Sequence, residues 1–170
     1  MIAEEAKRGH TVAIHSASHK YNQIYTSEQA FFDDLEQMNS IIKAQTGNDA
    51  SIIRFPGGSS NTVSKDYCPG IMTQLVNDVT ARGLLYCDWN VSSGDANSKP
   101  ISTEQVVQNV ISGVQSHNVS VVLQHDIKDF SVNAVEQIIQ WGQANGYTFL
   151  PLTTSSPMSH HRINLSLIHI

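Results

Sequence analysis

The sequence predicts an α/β fold in which helices lie outside a parallel sheet or barrel. Short apolar runs alternate with longer stretches whose apolar residues recur at helical spacing. Short runs of this kind are typical of strands buried on both faces, which parallel sheets contain. Polar, chemically capable side chains directly follow several of these runs. Because binding sites in α/β folds form at the carboxyl ends of strands, we expect these side chains to mark a site.

Five strands are expected, each four or five residues long and rich in apolar side chains. They are Thr11–His15, Ser51–Arg54, Leu84–Asp88, Val119–Leu123 and Tyr147–Leu150. Proline and glycine after the second strand, and Pro151 after the fifth, end those strands. A polar loop is expected over residues 90–100, after the third strand.

Helices are expected between the strands, with capping residues and glycines at their ends. The expected helices are Ile2–Arg8, a helix from Thr26 or Ser27 to Thr46, Ile71–Arg82, a helix from Ser102, and a helix from Ser131 or Asn133 to Asn145. This regular alternation of strand and helix is what indicates the α/β class.

Composition limits the kinds of partner. The chain has 170 residues, a net charge of −5 and no cluster of Lys and Arg, which argues against nucleic acid or an anionic membrane as its main partner. No apolar run approaches the ~20 residues that span a bilayer, and the charged stretch Ile2–Gly9 is unlike a signal peptide. We expect one domain over residues 1–152 and a tail over residues 153–170 that lies outside the core.

The two cysteines, Cys68 and Cys87, do not form a CxxC motif. Two buried or half-buried thiols are the simpler interpretation. A single disulfide is the alternative, because spacing alone does not decide between them.

His15-Ser-Ala-Ser-His19 follows the first expected strand. Two imidazoles four residues apart can turn to one side of a helical turn and bind one cation, such as zinc or cobalt. An open site of this kind needs three protein ligands, so the stretch supplies two of them. The alternative is a pair of hydrogen-bonded histidines that end a loop.

Arg54 ends the second strand and is followed by Phe-Pro-Gly-Gly58. A buried arginine needs an anionic partner, and Asp88 at the end of the next strand is the expected one. The glycines allow main-chain N–H groups to approach a ligand, as an oxyanion site requires. A structural salt bridge beside a tight turn is the alternative. Trp89 is expected either in the core or as the wall of a sugar-binding pocket.

His125 directly follows the fourth strand, in Leu123-Gln-His125. A histidine there can act as a general acid or base, although a lone one is more often structural. Strand ends that carry two histidines, an arginine, an aspartate and a third histidine together indicate a metal-assisted hydrolytic site.

In this order, these stretches resemble the motifs of polysaccharide deacetylases of the NodB-homology type, carbohydrate esterase family 4. His15-Ser-Ala-Ser-His19 is similar to the family's second motif, H-[ST]-x-x-H, which implies that both histidines bind the metal. Arg54-Phe-Pro-Gly-Gly58 is similar to the third motif, in which an arginine orients the catalytic base. The resemblance assigns the main-chain N–H of Gly57 to the oxyanion, although many members have tyrosine at that position.

Two further motifs extend the resemblance, which covers Ile2 to about Leu152. Asp88-Trp89 resembles the fourth motif, and this implies that Asp88 holds Arg54 and that Trp89 lines the substrate groove. Leu123-Gln-His125 resembles the fifth motif, L-x-H. It implies that Leu123 contacts the acetyl methyl group and that His125 is the general acid.

The family's first motif, a TFDDG-like strand end, does not occur in the sequence. In the family its two aspartates are the catalytic base and the third metal ligand. Phe32-Asp33-Asp34 lies within an expected helix, so we reject it as a substitute. The family fold is an irregular (β/α) barrel of about seven strands. We therefore expect a partial barrel, truncated at its N-terminus, whose first strands and Asp-Asp pair lie upstream of Met1.

The resemblance implies metal-dependent hydrolysis of N-acetyl groups on an amino-sugar polysaccharide, such as peptidoglycan or a chitin-like polymer. Zinc is the first expectation for the metal and cobalt the second, and the full-length protein is expected outside the cell or in its envelope. A non-catalytic carbohydrate-binding remnant is one alternative, and a structural fragment with adventitious metal binding is another. Open sheet edges in a truncated barrel would favour self-association.

Overall fold

A computed structural model describes residues 1–163 of the chain. These residues form two compact units. The first unit contains Met1–Asp88 and the chain from Pro151 onward, and the second contains Trp89–Leu150. Among the described residues, no helix combines the length and apolar character that a membrane crossing requires.

The first unit contains helices around a short parallel sheet. Its elements are α1 (Ile2–Lys7), α2 (Tyr21–Ile24), α3 (Glu28–Thr46), β1 (Ile52–Ile53), a 3₁₀ turn (Val63–Asp66), α4 (Ile71–Ala81) and β2 (Leu85–Tyr86). The expected cap of α3 is confirmed, because Ser27 Oγ accepts a hydrogen bond from the N–H of Ala30 at 3.1 Å. Gly47, in the left-handed conformation, ends the helix as expected.

Strand β1 lies between two parallel neighbours. On one edge it pairs with β2, with Ile53 opposite Tyr86, and on the other edge Ile14 forms a parallel bridge to Ile53. The N–H of Ile14 donates to the carbonyl of Ile52, and the N–H of Arg54 donates to the carbonyl of Ile14. The carboxyl ends of all three segments therefore lie at one edge of the sheet.

The core of the first unit holds these strand ends in place. Ile14, Ile53 and Phe55 are buried, and α3 and α4 pack apolar faces against them. The α3 face consists of Phe31, Phe32, Leu35 and Ile42, and the α4 face of Ile71, Met72, Leu75, Val76 and Val79.

The second unit has a parallel strand pair and two helices. Its elements are β3 (Val91–Ser92), α5 (Thr103–Gln115), β4 (Val122–Leu123) and α6 (Asp129–Ala144), and Val91 lies opposite Val122. Ser102 caps α5 as expected, since its Oγ accepts from the N–H of Gln105 at 3.2 Å. The two helices form their own core, made of Val106, Val107, Val110, Ala134 and Ile138.

Strand β3 corrects the expectation of a loop over residues 90–100. The side chain of Asn90 bonds the neighbouring segment twice, donating to the carbonyl of Val119 at 2.8 Å and accepting from the N–H of Val121 at 2.7 Å. The Asn90 side chain thus helps to align the strand pair. Because this contact is polar, the apolar pattern of the sequence did not indicate strand β3.

The expected strand at Tyr147–Leu150 is wrong, since this stretch has no strand pairing. Its side chains pack on α6 instead: the Tyr147 ring stacks on Trp141 at 5.3 Å, and the Phe149 ring covers Gly142 so closely that a Cβ there would lie 2.6 Å from it. Helix α6 also begins earlier than expected, at Asp129.

The segment after residue 152 differs from the expected external tail. The carbonyl of Ser159 accepts from the N–H of Asp88 at 2.7 Å, the ring of His160 stacks on Tyr86 at 4.0 Å, and Ile163 packs against the first core. The rest of the expected tail, residues 164–170, lies outside the described residues. Cys68 and Cys87 are free thiols, which resolves the disulfide alternative.

Candidate active site

His15 and His19 lie next to each other on an exposed loop of the first unit. Their ring centroids are 4.9 Å apart, and Nδ1 of His15 lies 2.8 Å from the main-chain oxygen of Arg54. An imidazole whose Nδ1–H donates to a carbonyl presents Nε2 as its lone-pair donor, a tautomer common among metal-binding histidines. The pair therefore fits two positions of a metal site.

The described residues supply only these two positions. Among residues 1–163, no group of three or more His, Cys, Asp or Glu side chains is arranged to hold a cation. Phe32-Asp33-Asp34, rejected above as the missing motif, lies within α3. Its second aspartate, Asp34, instead accepts hydrogen bonds from the loop that carries His15 and His19.

Asp34 accepts three hydrogen bonds from the loop between the histidines. They come from Ser16 Oγ at 2.6 Å and from the N–H groups of Ala17 and Ser18 at 2.9 Å each. Burial alone would raise the pKa of Asp34, but these hydrogen bonds outweigh burial and lower the pKa below its usual value.

His19 adopts the left-handed backbone conformation, with φ of 53°. Residues other than glycine rarely adopt this conformation, so neighbouring contacts must stabilise it. The N–H of His19 donates to Ser16 Oγ at 2.8 Å, and Ser16 Oγ in turn donates to Asp34. Asp34 thus supports the conformation of a candidate metal ligand through one intervening hydroxyl.

Arg54 is half-buried at the strand end, and its partners differ from the expected one. Its guanidinium donates to two main-chain oxygens, from Nε to Cys87 at 3.0 Å and from Nη2 to Asp88 at 3.2 Å. The expected ion pair with the Asp88 carboxylate is therefore wrong. The parallel register brings the carbonyls, rather than the carboxylate, within reach of the guanidinium.

The carboxylate of Asp88 is fully buried and has other donors. It accepts from the N–H of Ser59 at 2.8 Å, from Ser59 Oγ at 2.5 Å and from the N–H of His161 at 2.9 Å. Asp88 therefore ties the loop that follows Pro56-Gly57-Gly58 to the C-terminal segment. A buried carboxylate with three donors is stably accommodated.

Gly57 is exposed and has φ of 77°, a conformation that favours glycine. Its N–H makes no hydrogen bond to another residue within the described part of the chain. Such an N–H is available to a ligand, as the resemblance requires of an oxyanion donor.

In the second unit, Asp95 orients His125. Nδ1 of His125 donates to Asp95 Oδ1 at 2.8 Å, and its main-chain N–H donates to Asp95 Oδ2 at 2.6 Å. Ser131 Oγ donates to the same Oδ2 at 2.6 Å. Lys128, the residue that precedes α6, donates from Nζ to the main-chain carbonyl of Asp95. These contacts favour the Nδ1–H tautomer, in which Nε2 carries the lone pair.

Asp95 is buried, with 2% of its surface exposed. Burial alone would raise its pKa, but hydrogen bonds from Ser131 and His125 outweigh burial and bring the pKa to about 2. The carboxylate is therefore ionised at neutral pH. Trp89 and Leu123 also belong to the second unit, where both are half-buried and Leu123 lies in β4.

Comparisons with known proteins give a consistent result. The model of the family described as polysaccharide deacetylase matches residues 1–68. The solved catalytic domain of a peptidoglycan N-acetylglucosamine deacetylase from Eubacterium rectale is 98% identical, with a TM-score of 0.96, and the match covers 96% of this chain and 74% of that one. The chain belongs to the polysaccharide deacetylase family.

More distant members of the polysaccharide deacetylase family agree. A peptidoglycan-N-acetylglucosamine deacetylase of Bacillus cereus is 28% identical over 153 residues, which are 88% of this chain and 52% of the relative. The chain thus spans about half the length of that curated relative. A Streptococcus mutans CE4 esterase is 27% identical, with a TM-score of 0.72 and coverage of 88% and 66%. The predicted fold class, a partial (β/α) barrel of the NodB-homology type, is confirmed.

Sequence reasoning missed the two aspartates that orient the histidines of this deacetylase-family chain. Asp34 lies 15 residues beyond His19 on a helix, and Asp95 lies in a stretch expected to be a loop. No sequence signal marked either residue, because Asp34 lies beside another aspartate on a helix and Asp95 stands in a Ser- and Gly-rich loop, where aspartate is common.

Replacing Asp34 with alanine should loosen the histidine loop. Loss of one acceptor for three donors removes about 1–3 kcal/mol of local stability. Amide hydrogen exchange at residues 16–19 should therefore become about fivefold faster or more. Asp33→Ala is the matched control, because among the described residues the Asp33 carboxylate accepts a hydrogen bond from the exposed Gln29 side chain and from no part of the histidine loop. Equal exchange rates in the two variants would contradict the role of Asp34.

The low pKa of Asp95 predicts a stability loss in acid. Because the pKa is lower in the folded chain than its ordinary value of 3.8, the contribution is complete above that value and is lost as pH falls towards about 2. Urea midpoints measured between pH 5 and pH 2 should fall less steeply in Asp95→Asn than in the wild type. Asp126→Asn, at an exposed neighbour of His125, should keep the wild-type slope.

Proposed function

We propose that this chain provides the histidine pair, the oxyanion donor and the general acid of an enzyme that hydrolyses N-acetyl groups on an amino-sugar polysaccharide. The observation that carries the proposal is the histidine pair, 4.9 Å apart, with His15 oriented by the Arg54 carbonyl. The relatives named above support peptidoglycan as the substrate, and a chitin-like polymer is the second choice.

The proposed cofactor is a divalent cation, zinc first and cobalt second, with His15 and His19 as two of its ligands. When bound, such a cation supplies Lewis-acid chemistry, since it polarises an amide carbonyl and lowers the pKa of water. Neutral imidazole suits zinc and cobalt. The third ligand and the catalytic base are assigned, by the family resemblance, to an Asp-Asp pair outside residues 1–170.

The remaining roles concern the substrate. The exposed N–H of Gly57 donates to the oxygen that becomes negative as the amide is attacked. Arg54 keeps further N–H donors beyond the two that bond carbonyls, and these orient the base. Asp88 supports this arrangement by holding the loop at Ser59.

His125 is the proposed general acid. In its doubly protonated form, with Asp95 accepting from Nδ1–H, it donates the proton on Nε2 to the departing amine and returns to the neutral Nδ1–H tautomer. Leu123 is assigned to the acetyl methyl group and Trp89 to the wall of the sugar groove. Since peptidoglycan lies outside the cytoplasmic membrane, the full-length protein is placed in the cell envelope or outside the cell.

Zinc titration tests the histidine pair. We expect weak binding by calorimetry, because only two protein ligands are present, and a loss of at least tenfold in affinity in His15→Ala and in His19→Ala. His10→Ala, at an exposed histidine of the same unit, should bind like the wild type. Unchanged affinity in a variant that lacks both His15 and His19 would refute the shared site.

Acetate release from N-acetylglucosamine oligomers tests the reaction. With zinc or cobalt added, we expect no turnover by residues 1–170 alone. In the longer Eubacterium rectale domain, replacing the residue matched to His125 with asparagine should lower kcat by two or more orders of magnitude. Turnover by the short chain that is lost in His15→Ala would overturn the assignment of the base. Oligomer binding by the longer domain without acetate release would favour the carbohydrate-binding alternative.

A further inference from the structure

Two tyrosines lie beside the peptide that carries the proposed oxyanion donor. Tyr25 is fully buried, and its hydroxyl donates to the carbonyl of Pro56 at 2.7 Å. In a trans peptide the carbonyl and the following N–H point in opposite directions. Because Tyr25 holds the carbonyl of Pro56 towards the core, the N–H of Gly57 points away from it.

Tyr21, one helical turn before Tyr25, fills the space where residue 57 would carry a side chain. A Cβ built on Gly57 would lie 2.6 Å from Tyr21 Oη and 3.4 Å from its Cζ. The first distance is shorter than real Cβ contacts, so a side chain at position 57 would require the Tyr21 hydroxyl to move from its present place.

The hydroxyl of Tyr21 therefore lies close to the N–H of Gly57. Standard bond lengths place a Cβ about 2.5 Å from the nitrogen of its own residue, so Tyr21 Oη and Gly57 N are at most about 5 Å apart. Two donors at that separation can both reach one oxygen atom at ordinary hydrogen-bond distances, since two bonds of about 2.8 Å span more than 5 Å.

The surroundings of Tyr21 suit a hydrogen-bond donor. The residue is half-buried, and within residues 1–163 its hydroxyl makes no hydrogen bond to the protein. Its ring packs 5.7 Å from the ring of His19 and edge-on to Tyr25 at 5.5 Å. The ring of Tyr21 thus lies beside a candidate metal ligand, and its hydroxyl lies close to the proposed oxyanion donor.

We propose that Tyr21 contacts the substrate and that its hydroxyl donates a second hydrogen bond to the acetyl oxygen bound by the Gly57 N–H. This inference rests on the proposed function and adds a residue to it. Tyr25 is a positioning residue in the same arrangement, because it acts through the Pro56–Gly57 peptide. An oxyanion held by one main-chain and one side-chain donor is a common arrangement in acyl-transfer sites.

Binding of acetate, the expected product, tests the contact without requiring turnover. Titration of the full chain with sodium acetate, followed by ¹H–¹⁵N NMR, should shift the Gly57 amide. Tyr21→Phe, which removes only the hydroxyl, should weaken acetate binding about tenfold, the effect of one hydrogen bond to a charged group. Tyr67→Phe, at an exposed tyrosine of the same unit, is the matched control and should bind acetate like the wild type.

Equal acetate affinity in Tyr21→Phe and the wild type would overturn the proposal, and so would a Gly57 amide that does not respond to acetate. These results are separable from failure of the proposed function. Absence of a zinc site at His15 and His19, or of acetate release by the longer Eubacterium rectale domain, would refute the deacetylase assignment, while the acetate titration would still report on Tyr21.

A second measurement tests the shared space directly. Gly57→Ala should lower the urea midpoint in the wild type, because alanine is strained at a φ of 77° and its Cβ would collide with Tyr21 Oη. In the Tyr21→Phe background the contact with Oη is absent while the 3.1 Å approach to Asn61 Cβ remains, so the same substitution should still lower the midpoint, but by less. Equal shifts in the two backgrounds would show that the hydroxyl does not occupy this space and would overturn the proposal.

Discussion

The parallel register at Ile14, Ile53 and Tyr86 is the constraint on which the first unit depends. It fixes the carboxyl ends of three segments at one edge, so that the residues that follow, His15, Arg54 and Cys87, are neighbours through main-chain hydrogen bonds. A slip of one residue would reverse which face each side chain occupies. Both faces of β1 are covered, since Ile52 and Ile53 are both buried, and a slip would displace these side chains from their places in the core.

Each candidate histidine is positioned by an oxygen acceptor from a distant part of its own unit. The Arg54 carbonyl orients His15, and Asp95 orients His125, while Asp34 acts on His19 through Ser16. Both carboxylates accept several hydrogen bonds, and in both cases these bonds, rather than exposure to water, lower the pKa. Reactive side chains are held to a useful orientation by partners of this kind.

The sequence predicted the strand ends well because burial leaves a strong local signal. The apolar runs before His15, Arg54 and His125 indicated where strands end and candidate site residues follow. Ser27 and Ser102 indicated where α3 and α5 begin. What it could not predict depends on contacts between distant residues. Whether Arg54 bonds the carboxylate or the carbonyl of Asp88 is decided by register and by competing donors such as Ser59. The strand at Val91 was hidden for the same reason, since an asparagine side chain aligns it.

Because Arg54 binds main-chain carbonyls, its contacts do not depend on the side chains of the residues that supply them. Every residue type has a main-chain oxygen, so exchanging Cys87 for another small buried residue leaves the acceptor in place. Natural variation at this position is therefore compatible with an intact guanidinium contact. Ser59 is different, because its hydroxyl is one of the donors to the buried Asp88. Substitutions should therefore be better tolerated at Cys87, which offers only its main-chain oxygen to Arg54, than at Ser59, whose side chain binds Asp88.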